Sequence, residues 1–193
     1  MREEIIWKVG GQQGEGIEST GEIFSVGMNR LGYHLYGYRH FSSRIKGGHT
    51  NNKVRVSTEK VNAVSEDLDI LVAFDQESID VNYHELSEGG VIIADAKFKP
   101  ENPADSKADL HAVPFTEIAK EHGTALMKNM VAIGATCAVL RMEVEVFTSI
   151  IQEIFGRKGE DMVEKNMQAM QAGFHYMKDS LGNEEESLSL AAA

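Results

Sequence analysis

Two segments of this sequence gather residue types suited to holding an anion. The first is Val9-Gly-Gly-Gln-Gln-Gly-Glu-Gly-Ile17, where an apolar run stops at glycines and a helical pattern begins. Glycines let the chain turn tightly and let a phosphate approach the backbone. The N–H groups of such a turn, with the dipole of the following helix, attract negative charge. Gly11, Gln12, Gln13, Gly14 and Gly16 are the candidate contacts. The plain alternative is a tight strand-to-helix turn that holds nothing. A nicotinamide-type dinucleotide is disfavoured, because the next strand ends Leu35-Tyr-Gly-Tyr-Arg39 with no acid to hold a ribose. Glu15 also lies inside the turn, where its carboxylate opposes a phosphate unless it points away.

The second segment is Arg39-His-Phe-Ser-Ser-Arg-Ile-Lys-Gly-Gly-His49. It holds Arg39, Arg44, Lys46, His40 and His49 and no acid, in a chain whose net charge is −11. Gly47 and Gly48 give it backbone freedom. Arg44, Lys46, Gly47 and Gly48 are candidate contacts to an anionic ligand or an acidic partner. A solvated surface loop is the competing reading. Two further segments are weaker. Asp75 closes the apolar run Asp69–Phe74, either at a ligand-binding sheet edge or, the favoured reading, as the N-cap of the next helix. Lys128 and Asn129 open a helix whose Ala132, Gly134, Ala135 and Ala138 allow close packing. Asn129 is taken as a candidate contact, and Cys137 as an inert buried thiol.

Apolar periodicity supplies the elements that must position these residues. Strands are expected over Ile5–Val9, Tyr33–Tyr38, Asn51–Ser57, Ile70–Phe74, Gly90–Ala94 and Asp109–Val113. Helices are expected over Glu15–Leu31, Gln76–Leu86, Phe115–Glu121, Met127–Arg141, Glu143–Phe155 and Gly159–Lys178. Lys97–Asp109 reads as a loop or ordered excursion. The alternation implies an α/β fold: a mostly parallel sheet flanked by helices in three layers, with a helical C-terminal third. Residues 1–179 are expected to form one domain, and the acidic, small-residue stretch 180–193 a linker or tail.

Composition narrows the function classes. The 193 residues are 42% hydrophobic and 25% charged, which is that of a globular domain. The net charge of −11 disfavours a nucleic-acid partner. Apolar runs are strand-sized, so no membrane role is expected, and the N-terminus does not read as a secretory signal. One cysteine supports neither an internal disulfide nor a cysteine-held cluster, and a cytoplasmic location is the default expectation. The seven histidines are scattered, and no metal site is expected. No Gly-x-Ser-x-Gly elbow or Walker lysine occurs, and no catalytic residue is assigned. The chain reads as a binding or subunit module, not a self-sufficient enzyme.

These segments, in order, resemble the gamma subunit or domain of the 2-oxoacid:ferredoxin oxidoreductases, a domain fused in front of the alpha subunit in many bacterial members. The likeness runs over about residues 4–178. It rests on Gly11-Gln-Gln-Gly-Glu-Gly-Ile17, Lys46-Gly-Gly48, Val54-Arg-Val-Ser57 and Asp69-Ile-Leu-Val-Ala73. It continues through Gly89-Gly-Val-Ile92, Val113-Pro114, Asn129-Met-Val-Ala-Ile-Gly134, and Asn166 with Gly173. Gln13 stands where the family usually has glycine, Glu15 where it has glutamine, and Lys46 where arginine is commoner. The resemblance implies a complex that oxidatively decarboxylates a 2-oxoacid such as pyruvate or 2-oxoglutarate, forms an acyl-CoA and reduces ferredoxin. Thiamine diphosphate, Mg2+ and iron–sulfur clusters are then held by alpha and beta partners, with none held by this chain alone. The gamma part is expected to help bind coenzyme A, whose phosphates Gly11–Gly16, Arg44 and Lys46 would meet. A purely structural assembly module and a free dinucleotide-binding protein are the alternatives.

Overall fold

Alternating apolar residues on β1 (Glu4–Gln12) set the plan of the molecule, because the strand is buried on both faces. In the computed structural model, which describes residues 1–43, 47–182 and 188–193, Ile5, Trp7 and Val9 enter one core and Ile6 another. The other strands are β2 (His34–Phe41), β3 (His49–Ser57), β4 (Leu68–Ala73), β5 (Leu86–Asp95) and β6 (Asp109–Val113). They form one six-stranded sheet in the order β2-β3-β1-β4-β5-β6. The pairs β1–β4, β4–β5 and β5–β6 are parallel; β3 is antiparallel to both β1 and β2, so β3 alone runs against the rest. This is the expected α/β architecture, a mostly parallel mixed sheet with flanking helices.

The larger core lies under α1 (Ile17–Arg30), α3 (Phe115–His122), α4 (Lys128–Leu140), α5 (Thr148–Phe155) and α6 (Glu160–Leu181). The smaller one lies under α2 (Gln76–Asn82). Trp7 anchors the larger core: its ring stacks on Phe24 at 4.3 Å and its indole N–H donates to Thr136 Oγ1 at 3.3 Å. The small residues of α4 do what their size suggests. A Cβ on Gly134 would strike the Met170 carbonyl, and one on Gly173 the Val131 carbonyl, so α4 and α6 meet backbone to backbone. Cys137 is buried among them, and burial pushes its thiol pKa up, as expected of an inert thiol. On α6, Met170 and Met177 are fully buried, and Met162 and Met167 pack partly buried against the same core.

Several boundaries differ from the periodicity: β1 runs on to Gln12, and the helix expected over Glu143–Phe155 begins as a 3-10 turn over Val144–Phe147 before α5. β2 runs on to Phe41, because Arg39, His40 and Phe41 continue the antiparallel ladder against Asn52, Asn51 and Thr50. The helix after Asp75 stops at Asn82, passes through a 3-10 turn over Tyr83–Glu85, and yields to β5 at Leu86. Gly89 lies inside β5 with φ 74°. In the stretch read as linker or tail, Leu188 and Leu190 are covered by the body of the molecule. Arg2 and residues 189–191 exchange two backbone hydrogen bonds of 2.8 Å, and the Tyr33 hydroxyl donates to the Ala191 carbonyl at 2.8 Å.

Candidate functional site

The carboxyl end of β1 leads directly into the glycine turn, which folds on itself. Glu15 N–H donates to the Gln12 carbonyl at 3.1 Å, and Gln12 N–H donates back to Glu15 Oε2 at 3.2 Å. Gly14 and Gly16 have φ of 96° and 87°, the left-handed region where a side chain is strained. Gly16 is also the N-cap of α1, and among the described residues no side chain caps the helix. First-turn N–H groups of α1 therefore remain available to an outside acceptor.

Two segments far apart in sequence complete this corner. Gln13 N–H donates to the Gly48 carbonyl at 3.0 Å, and Gln12 pairs with His49 across β1 and β3. The glycine turn and the Gly47–Gly48 segment are thus neighbours. Arg44 and Lys46 lie outside the described residues. From the other side, Lys128 Nζ donates to Glu15 Oε1 at 2.8 Å and sits 4.9 Å from the centre of the Phe74 ring. This pairing offsets the Glu15 charge, while its other carboxylate oxygen stays on the Gln12 N–H of the turn. Asn129 accepts from Met130 N–H at 2.9 Å, and its Nδ2 lies 4.0 Å from where a Cβ on Gly16 would be. Arg39, read as part of the basic loop, is instead on β2 and paired with Glu18 at 2.8 Å.

A cavity of about 690 Å³ opens beside the turn. Gly14, Gly16 and Asn129 line it together with the apolar Ile23, Ile150 and Met162. The apolar wall was not legible as a site in the sequence, because it is assembled from α1, α5 and α6.

The same sheet edge carries a second set of polar groups. Asp75 caps α2 as favoured, accepting from Ser78 N–H at 2.8 Å and Ser78 Oγ at 2.6 Å. Its Oδ2 is buried without a hydrogen-bond partner, as are His49 Nδ1 and Thr50 Oγ1. His49 has its pKa lowered, chiefly by burial; Asp75 and Glu77 oppose the shift and His40 and Lys8 add to it. Among the described residues, no group of three or more His, Cys, Asp or Glu side chains is placed to hold a metal ion. Nor is any described helix long and apolar enough to cross a membrane.

The family model for pyruvate ferredoxin/flavodoxin oxidoreductase matches residues 6–176, a span that runs from within β1 to within α6. The chain belongs to this family. Its gamma-type domain is similar over its whole length to part of the 2-oxoglutarate:ferredoxin oxidoreductase of Magnetococcus marinus, with a TM-score of 0.88 and 27% identity, covering 34% of that chain. That structure was determined with 2-oxoglutarate, coenzyme A and succinyl-CoA bound. The fold also matches the keto/oxoacid ferredoxin oxidoreductase gamma subunit of Geobacter sulfurreducens, TM-score 0.74 at 24% identity, over 90% of this chain and 98% of that one. The ketoisovalerate oxidoreductase subunit VorA of Methanothermobacter marburgensis is 30% identical over 188 residues, which is 94% of this chain. The chain spans only 38% of that relative's length.

Proposed function

We propose that this domain is the gamma part of a 2-oxoacid:ferredoxin oxidoreductase and that its glycine turn contacts coenzyme A. The observation that carries the reading is the Gln13–Gly48 hydrogen bond, which joins the two anion-suited segments into one corner. The donor set suits a phosphate: N–H groups at the start of α1 that no described side chain caps, the Asn129 amide and the Lys128 ammonium, with one oxygen of Glu15 held on Lys128. Arg44 and Lys46, which precede Gly47 in the sequence, are the further charges this reading would draw on. Coenzyme A supplies the thiol that accepts the acyl group in such a complex. This chain's residues bind and orient; alpha and beta partners would hold thiamine diphosphate, Mg2+ and the iron–sulfur clusters, and ferredoxin would take the electrons. A cytoplasmic location suits those reduced partners.

One observation favours the rival reading, a module that only assembles the complex. Glu15 occupies the Gln12 N–H that a phosphate would want. The two readings part in a complex reconstituted with its companion subunits and assayed by viologen reduction. Lys128→Met frees the Glu15 carboxylate to oppose an anion, so KM for coenzyme A should rise about tenfold with kcat and the 2-oxoacid KM unchanged. An unchanged coenzyme A KM with weakened assembly would select the rival. Scanning pyruvate, 2-oxoglutarate and branched 2-oxoacids in the same assay identifies the substrate.

A further inference from the structure

Among the described residues, β2 is an edge strand without the usual protection. It is eight residues long and pairs on one side only, with β3. Exposed edges are commonly blunted by proline, lysine, an inward charge or a covering element. His34-Leu-Tyr-Gly-Tyr-Arg-His-Phe41 contains no proline, lysine or acid, and its arginine is turned to Glu18 of α1. The opposite edge, β6, has five residues, begins with Asp109 and packs against α6. β2 also exposes large side chains: Tyr36 is 41%, Tyr38 51% and Phe41 52% accessible.

The order of those side chains is specific. His34, Tyr36, Tyr38 and His40 pair with Ser57, Arg55, Lys53 and Asn51, so all four share one face of the sheet. About Gly37 they read the same in both directions, His-x-Tyr-Gly-Tyr-x-His. A strand that is its own mirror about one residue is complementary to an antiparallel copy of itself. We propose that β2 pairs antiparallel with β2 of a second copy of this chain, with Gly37 on the two-fold axis, making one continuous sheet from two.

In that register Tyr36 faces the partner's Tyr38, and His34 faces the partner's His40. On the other face Leu35 meets the partner's Arg39. Tyrosine pairs directly across antiparallel strands stabilise the ladder, and Gly37, on the opposite face, has no side chain to oppose its own copy at the axis. An isologous interface demands such self-complementarity, because each patch must fit its own copy. Charge supports the same surface. Two chains of net charge −11 repel, and an acid-free strand adds no negative charge to the seam. A strand from a different protein would give no reason for the symmetric order.

The test uses the full chain. Sedimentation and light scattering at about 100 µM should show a dimer. Gly37→Cys should form a disulfide-linked dimer under mild oxidation, because the two positions face each other across the axis. Tyr38→Cys alone should not, whereas an equimolar mixture of Tyr36→Cys and Tyr38→Cys should give the mixed dimer. The natural Cys137 is buried and gives no background. Tyr38→Lys, a change at an exposed site, should weaken the dimer at least tenfold while circular dichroism is unchanged. A monomeric chain, cross-linking at Tyr38 equal to that at Gly37, or an unaltered Tyr38→Lys dimer would each overturn the proposal.

Discussion

Lys128 and Glu15 are 113 residues apart and meet at 2.8 Å beside the glycine turn, so the proposed anion contact is tested first at this pair. The converse of Lys128→Met is Glu15→Gln, which removes the opposing charge and restores the residue type that the family resemblance leads one to expect. It should lower KM for coenzyme A in the reconstituted complex, and an increase would show that Glu15 serves the ligand. His49 gives a second residue-scale prediction. Its ordinary pKa is 6.5 and the folded value is lower, mainly through burial. The unfolded chain therefore binds the proton first as pH falls. This part of the stability is complete above the unfolded value and declines as pH drops through it toward the folded one. The urea midpoint should fall between pH 7.5 and 5.5, and His49→Gln should flatten that fall. An equal slope in the variant would show that the imidazole is not the group responsible. The anion-suited residue types were legible in the sequence, since glycine spacing and charge contrast are local. The Lys128–Glu15 pair was not, because nothing local ties two residues on separate elements.

At the level of elements, the α4–α6 crossing is held by absence of side chains. Gly134→Ala has no room to relax, since the colliding atom is the backbone carbonyl of Met170. It should cost about 3 kcal/mol or more, read as a loss in the denaturation midpoint or failure to fold. A cost below 1 kcal/mol would mean that the helices can shift apart. The other face of the sheet carries a polar counterpart. Lys8 Nζ donates to Glu85 Oε1 at 2.5 Å and to Asn82 Oδ1 at 2.9 Å, and Lys53 Nζ donates to Glu85 Oε2 at 2.8 Å. Burial lowers the Lys8 pKa against the pull of Glu85. Burial raises that of Glu85, but hydrogen bonds and charge from Lys53 and Lys8 outweigh it and hold the carboxyl below its usual value. Glu85→Gln leaves two buried ammonium groups without a counter-charge. It should cost about 2–3 kcal/mol, the lower part of the range for a broken buried pair, because Glu85 is partly accessible. Strand and helix positions were readable from apolar period because each strand faces a core. The end of β2 was not, since Arg39–Phe41 are polar or exposed and are extended only by their partners on β3.

For the whole molecule, the two ends of the chain lie together. Leu188 and Leu190 enter the large core beside Arg2 and Tyr33. Replacing both leucines by alanine should cost about 3 kcal/mol, detectable as a lower thermal midpoint. No change would mean that the segment only rests on the surface. Two leucines among acids and small residues carry no period from which their burial can be read. The order of motifs along the chain was more informative than any one of them. Gly11–Gly16, Gly47–Gly48 and Asn129 each fit several folds, but their sequence of appearance matches the architecture that brings them to one corner.

Trp7 has a use that its packing role conceals. It is the only tryptophan in the chain, fully buried, and it lies on β1 a few residues before the glycine turn. Its fluorescence therefore comes from one known place. Emission should be blue-shifted in the native protein and move to the red in a single step when the sheet opens. Because Phe24 lies against one side of the indole and Thr136 holds its N–H, the same signal reports any shift of α1 or α4 against the strand. Ligand binding at the start of α1 can be followed by this intrinsic optical probe, without attaching a label.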